Sequence, residues 1–321
     1  MIERGALGLV LALVAILIGA TILRPPAEAT LAPKAVWRIT ETGSALSTDW
    51  NTVAGRLSRT GIRTLATAYR DLGYDLEALR AGVGRVPRLF LASLPRDMDV
   101  LRESRVRKAV FFLSVLPLVL QTNDEIRIER RRLWRLRSEK ALGLNISAED
   151  RLWLAMMSDR YRTKRGEVDA LLNRVDIIPP SLALAQAAEE SGWGTSRFVR
   201  EGNAIFGQWT TAKGRGLAPL LRETGLTHKV RSFDSLLDSV RSYVRNLNTH
   251  PSYRGLRNKR EALRRQGAPL DGAVLAGQLK NYSQRGEGYV STLRTIIRAN
   301  NLRRLDDARL IDAASADEPQ I

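Results

Sequence analysis

The stretch from Pro179 to Trp209, PPSLALAQAAEESGWGTSRFVREGNAIFGQW, limits the fold more than any other part of the chain. Pro179 and Pro180 suit the first positions of a helix, where the missing N–H is not needed. The following SLALAQAA has high helical propensity and is apolar almost all round, so the helix must be buried. Glu189 and Glu190 arrive at its C-terminal end, and Gly192 can supply a left-handed cap. A helix C-terminus carries partial negative charge, and Trp193 stands next in the chain. Both that dipole and partial burial beside an aromatic ring raise a carboxyl pKa, which is what a general acid needs near neutral pH. Residue types alone leave a second reading open, in which the two glutamates are solvated or paired with Arg197 or Arg200. Periodicity does not choose between Glu189 and Glu190, because the helix has no clear polar side.

The chain has 321 residues and 44% hydrophobic content, enough for one sizeable domain plus accessory segments or for two small domains. A formal net charge of +17 favours polyanionic surroundings as well as solubility. There is no cysteine, which excludes disulfides, cysteine zinc sites and thiol catalysis. With only His228 and His250, a His-rich metal site or a Ser-His pair has few ways to form, and no metal or organic cofactor is expected.

Ala6 to Leu23 is an uncharged run of 18 residues, the minimum for a membrane span. Ala27-Glu28-Ala29 after it resembles a small-x-small cleavage site. Residues 1–24 are thus an anchor or a signal segment, and either sends the rest of the chain across a membrane. Residues 25–60, with Pro25, Pro26 and Pro33, read as a linker. Residues 61–168 form a helical accessory region. Within it, Thr60 to Arg80 shows helical spacing, and VPRLFLASL is a short apolar element between Pro87 and Pro95. Arg102 to Leu142 is one long helical stretch whose apolar run, Ala109 to Gln121, is interrupted by Pro117. Further along it Leu133 and Leu136 face a core while Arg130, Arg131 and Arg135 stay solvated. Ser147 is a candidate helix N-cap, with Asp150 three residues on.

After Trp209, glycines at 214, 216 and 225 and the alternation of His228 to Phe233 predict a loop and a short hairpin. Helices follow from Asp234 or Ser235 up to Pro251, over REALRRQG, and over GYVSTLRTIIRANNL. Residues 306–321 read as an acidic, disordered tail.

AQAAEESGWG…NAIFGQW resembles the AQAxxESGWG…NxFG pattern of bacterial glucosaminidases, glycoside hydrolase family 73. SVRSYVRNLNTHPSYRGLR and LAGQLKNYSQRGEGYVSTLRTIIRANNL resemble the family's later blocks, and their order is similar to that of its Bax-like branch. The likeness covers about Asp169 to Leu302, within a catalytic domain placed at 169–305. It implies an α+β fold, mostly α, lysozyme-like, with a small β-hairpin lobe, preceded by the helical region. It also implies a peptidoglycan hydrolase acting on β-1,4 bonds next to N-acetylglucosamine, with Glu190 as the acid and Glu223 as a second carboxylate. An alternative is substrate-assisted chemistry in which Tyr282 positions the sugar. Trp193, Asn203, Phe206, Trp209 and Tyr282 are the implied substrate-binding or supporting residues. Peptidoglycan strands are the expected partner, together with the membrane through the N-terminal segment and a periplasmic location. Nucleic acid is not expected, since it would explain the charge but neither the leading segment nor ESGWG. The rivals are a lytic transglycosylase and a non-catalytic wall-binding module.

Overall fold

The structure is a computed structural model that describes residues 50–101, 104–210, 215–219 and 229–311. The segment Ala6–Leu23 and the Ala27–Ala29 site lie outside the described residues. The fold is α+β and mostly α, with a hydrophobic core that runs without interruption from Ala54 to Leu310.

Four helices build the first part: α1 (Trp50–Leu57), α2 (Ile62–Asp71), α3 (Leu76–Arg80) and α4 (Ser104–Ala141). Helix α1 lies inside the stretch read as linker, so that reading ends too late; Ala54 and Leu57 are buried. The periodicity from Thr60 to Arg80 is split by Gly73 at φ 64°, after which Asp75 caps α3 by accepting from the N–H groups of Glu77 and Ala78.

Helix α4 corrects the expectation at Pro117. The helix runs through it for 38 residues. Proline removes the N–H that would reach the carbonyl four residues earlier, that of Leu113. Tyr74 Oη donates to that carbonyl at 3.1 Å, so the orphaned acceptor is satisfied inside the core. Phe111, Phe112, Val115, Leu116, Leu118 and Val119 around it are fully buried. This helix is long and apolar enough to cross a membrane, but its apolar window is 78% buried in the protein. Farther along, Leu133 and Leu136 are buried as expected, but Arg130 is not solvated: it donates to the carbonyl of Val175 at 2.7 Å.

Helices α5 (Ala148–Tyr161) and α6 (Val168–Arg174) then lead to α7 (Pro180–Ser191). Ser147 caps α5 by accepting from the Asp150 N–H at 3.0 Å. The turn before α7 holds a buried charge, Asp176, between Arg130, Arg260 and Arg264. Burial works against that charge, yet the three guanidinium groups hold the carboxyl below its ordinary value. Arg260 also donates to the carbonyls of Asp176 and Ile177, both at 3.0 Å, which fixes the entry into α7.

Helix α7 packs against α4, against α11 (Gly272–Ala276), against α12 (Glu287–Ala299) and against the 3-10 turn Leu302–Leu305. Its N-terminus is capped from far along the chain. Asp306 accepts from the Ser181 N–H and from Ser181 Oγ, each at 2.8 Å. Gly272 lies so close that a Cβ there would fall 2.1 Å from Ser181 Oγ and 2.8 Å from the Leu182 nitrogen. The tail reading therefore starts too early. Residues 306–311 are part of the fold, and Leu310 pairs with Val86 in a parallel bridge, while the Ile311 N–H reaches the Val86 carbonyl at 2.9 Å.

Helix α8 (Arg197–Gly202) leads to a small antiparallel sheet of β1 (Trp209–Thr210), β2 (Gly216–Leu217) and β3 (Lys229–Arg231), in the order β1-β3-β2. Val230 faces both Trp209 and Leu217 in the register. Helices α9 (Leu236–Thr249) and α10 (Arg254–Arg265) follow, with Ser235 as the cap of α9. Helix α10 starts earlier than the REALRRQG segment predicts.

Candidate active site

The last turn of α7 carries the candidate acid. Gln186 and Glu190 are four residues apart and so share one face of the helix. That face meets α9 and α12. Tyr243 Oη donates to Gln186 Oε1 at 2.6 Å, Gln186 Nε2 donates to Tyr289 Oη at 3.0 Å, and Tyr289 Oη donates to Glu190 Oε1 at 2.7 Å. Gln186 and Tyr243 are fully buried and Tyr289 nearly so. The chain of bonds begins in the core and ends on a half-buried carboxyl.

Burial is the main reason that the Glu190 carboxyl is raised above its ordinary pKa. The Tyr289 hydroxyl acts against the rise, since a donor favours the charged form. The neighbouring Glu189 charge adds to the rise and Arg285 opposes it. Glu189 itself turns to Arg285 and forms an ion pair with it, and Arg285 also donates to Thr292 Oγ1 at 2.6 Å. The two glutamates that the sequence left equivalent are thus separated by the helix. Glu190 sits on the Gln186 face, and Glu189 sits on the side that meets Arg285.

Local backbone geometry places what surrounds them. Gly192, Trp193 and Gly194 take positive φ in succession, at 58°, 60° and 81°. Ser191 stabilises this turn: its Oγ donates to the Ala187 carbonyl at 2.6 Å and accepts from the Gly194 N–H at 2.9 Å. A side chain at Gly194 would meet Leu94 at 2.8 Å, so this glycine is required by contact as well as by conformation. The turn carries the Trp193 ring onto α4, edge-on to Phe111 and Phe112, with Lys108 Nζ 4.6 Å from its centroid.

Asn203 ends α8 in the left-handed conformation, and its Nδ2 donates to the carbonyls of Phe233 and Asp234 at 3.3 Å. Phe206 is buried and stacks on Tyr243 with centroids 3.8 Å apart. Gly207, at φ 56°, brings bare backbone to the acid; a Cβ there would lie 3.7 Å from Glu190 Oε2. Tyr282 is half-buried, donates to the Phe206 carbonyl at 3.3 Å, and stacks parallel on Tyr289 at 5.5 Å. Trp209 begins β1 with 60% of its surface exposed. Glu223 lies outside the described residues.

The structure therefore brings Phe206, Tyr282 and Glu190 together through Tyr243 and Tyr289. Trp193 and Asn203 hold turns on either side of this group. Tyr289 lies in the core of the last predicted helix, and no sequence pattern reported its hydroxyl on Glu190. The hydrogen-bonding roles of Gln186 and Tyr243 were likewise not apparent from the sequence. The signal was present in Gln186, a polar residue in an all-apolar helix four positions before a glutamate. Among the described residues no group of three or more His, Cys, Asp or Glu side chains is arranged to hold a metal ion.

Comparison with known proteins agrees with this arrangement. The family described as Mannosyl-glycoprotein endo-beta-N-acetylglucosaminidase, the glucosaminidase family, matches residues 167–302. Protein bax of Escherichia coli (strain K12) is 34% identical over 215 residues, which cover 65% of this chain and 75% of that protein. No solved structure matches. The matched segment begins just before α6 and runs to the turn after α12, and so contains the whole Gln186–Tyr289–Glu190 cluster. The chain belongs to the glucosaminidase family, in its Bax-like branch.

Proposed function

We propose that the protein is a peptidoglycan hydrolase that cleaves β-1,4 bonds next to N-acetylglucosamine, with Glu190 as general acid. The observation that carries this reading is the half-buried Glu190 carboxyl, raised in pKa and held at one oxygen by the Tyr289 hydroxyl. Because Oε1 is occupied as an acceptor, the acidic proton belongs on Oε2, the oxygen that faces Gly207. A glycosidic oxygen brought to that side receives the proton as its C–O bond breaks, and charge develops on Glu190 only then. The Tyr289 donor supports that charge in the transition state. Tyr282 and Trp209 stand as stacking surfaces for sugar rings. Glu223 is the proposed second carboxylate.

The membrane-tethered, periplasm-facing location rests on the Ala6–Leu23 sequence and belongs to the same proposal. A net charge of +17 favours approach to an anionic wall polymer and makes binding sensitive to salt.

Purified full-length protein should release new reducing ends from peptidoglycan. Glu190→Gln should lower the rate about a hundredfold to ten-thousandfold. Full activity in that variant, or none in the wild type, defeats the reading. The runner-up is a lytic transglycosylase. It would use one Glu, and the pairing of Glu189 with Arg285 makes Glu190 that residue. Mass spectrometry of the fragments separates the two, since hydrolysis adds water and transglycosylation leaves an anhydro-sugar end. Retained glycan binding without turnover would instead indicate a wall-binding module.

A further inference from the structure

The far end of α12 builds a second concavity that the proposed chemistry does not use. Asn301, in the left-handed conformation at φ 49°, bends the chain from α12 into the Leu302–Leu305 turn. Burial of Ile297, Leu302 and Leu305 fixes both arms of that bend. Arg298 before it and Arg303 and Arg304 after it then line one hollow of about 850 Å³, together with Arg80 and Arg294. Among the described residues, the only carboxylate lining this hollow is that of Asp307.

Two of these five cations have partners, Arg80 with Glu77 and Arg303 with Asp271, each at 2.6 Å. Arg294 Nε donates to a carbonyl, that of Ala273, at 3.1 Å. Among the described residues, no carboxylate forms an ion pair with Arg294, Arg298 or Arg304. Five guanidinium groups around one hollow outnumber its carboxylates, and an anion within it relieves their mutual repulsion. The guanidinium fork matches tetrahedral oxyanions bidentately. One carboxylate brings a single charge; a phosphate monoester or linked phosphates bring two or more.

We infer that the hollow between Arg80, the end of α12 and the Leu302–Leu305 turn is a binding site for phosphate-bearing anions. Its ligand is a phosphate monoester or a short run of linked phosphates, from a soluble anion or from a lipid headgroup. The site is independent of Glu190.

The test is titration calorimetry on the full-length protein at fixed, near-physiological salt. One arm uses sodium tripolyphosphate. The other uses dihexanoyl phosphatidic acid below its micelle concentration, so that the phosphate is read apart from any bilayer. Saturable binding in at least one arm is expected, and which arm binds identifies the source. Arg298→Ala/Arg304→Ala should weaken it by about tenfold or more per arginine removed. The control Arg63→Ala/Arg131→Ala removes the same charge from exposed positions outside the hollow and should leave affinity within about twofold. Equal loss in both double variants means general charge attraction and overturns the site, as does no binding in either arm. Thermal midpoints confirm that the variants fold, and Arg298→Gln alone serves if the double variant does not. Glycan cleavage should be the same in wild type and variants.

Discussion

Glu190 and Glu189 are adjacent in sequence and opposite in circumstance. Removing the Glu189 charge by Glu189→Gln takes away one cause of the raised Glu190 pKa and frees Arg285 to act against it. The alkaline limb of the pH–rate profile should therefore move to lower pH, with the rate at acidic pH retained. An unmoved limb would mean that the two carboxyls are not coupled. Tyr289→Phe removes a donor that favours the charged form, so the same limb should move to higher pH while kcat falls. Stability carries a further signature of the acid. A carboxyl whose folded pKa lies above its unfolded value, about 4.3 for Glu, binds protons more tightly in the folded state. Its contribution to stability falls as pH rises through that window and stays low above it. Glu190→Gln should thus melt at a higher temperature than wild type near neutral pH, and the gain should fade as pH approaches 4. At this scale residue types and periodicity suggested a carboxylic acid at the helix end without choosing between the glutamates, and only the resemblance of ESGWG pointed to Glu190. The different surroundings of the two carboxyls depend on Tyr243 and Tyr289, 53 and 99 residues from Glu190 in the chain, and local periodicity does not report them.

Among the elements, α7 was legible because a helix apolar all round with a proline start has only one stable place, inside. Helix α4 was legible in extent but not at Pro117, because the group that repairs the break is the hydroxyl of Tyr74, on the segment between α2 and α3. A double-mutant cycle tests that repair. Tyr74→Phe should cost about 1–3 kcal/mol, because it leaves a buried carbonyl unpaired. In a Pro117→Ala background the restored amide reaches Leu113, and the cost of Tyr74→Phe should shrink. Equal costs in both backgrounds would separate the tyrosine from the proline. Where α11 meets α7, Gly272→Ala places a methyl group against Ser181 and Leu182. It should destabilise by about 3 kcal/mol, read from chemical denaturation, because backbone as well as side chain must give way.

On the scale of the whole molecule, the segment that the family model matches is smaller than the region that folds. Residues 167–302 contain the acid and its hydrogen-bond chain, but α4 and the Asp306 cap lie outside them. Helix α4 packs on both α7 and α9. A fragment of residues 167–302 should therefore show little cooperative unfolding by circular dichroism, whereas residues 50–311 should unfold in one transition. The boundary at 168 follows the start of the family resemblance, and the packing of α4 on α7 and α9 crosses it.

The same long helix bears on how the protein is made. Before it folds, the emerging chain displays two apolar stretches, Ala6–Leu23 and the run around Pro117. Machinery that sorts nascent chains by hydropathy meets both in turn, and the second is concealed only once α7 and α9 close over it. Under the proposed export through Ala6–Leu23, correct topology becomes a race between translocation and packing. A substitution that slows closure of the core would be felt first as an error of insertion, well before any loss of activity.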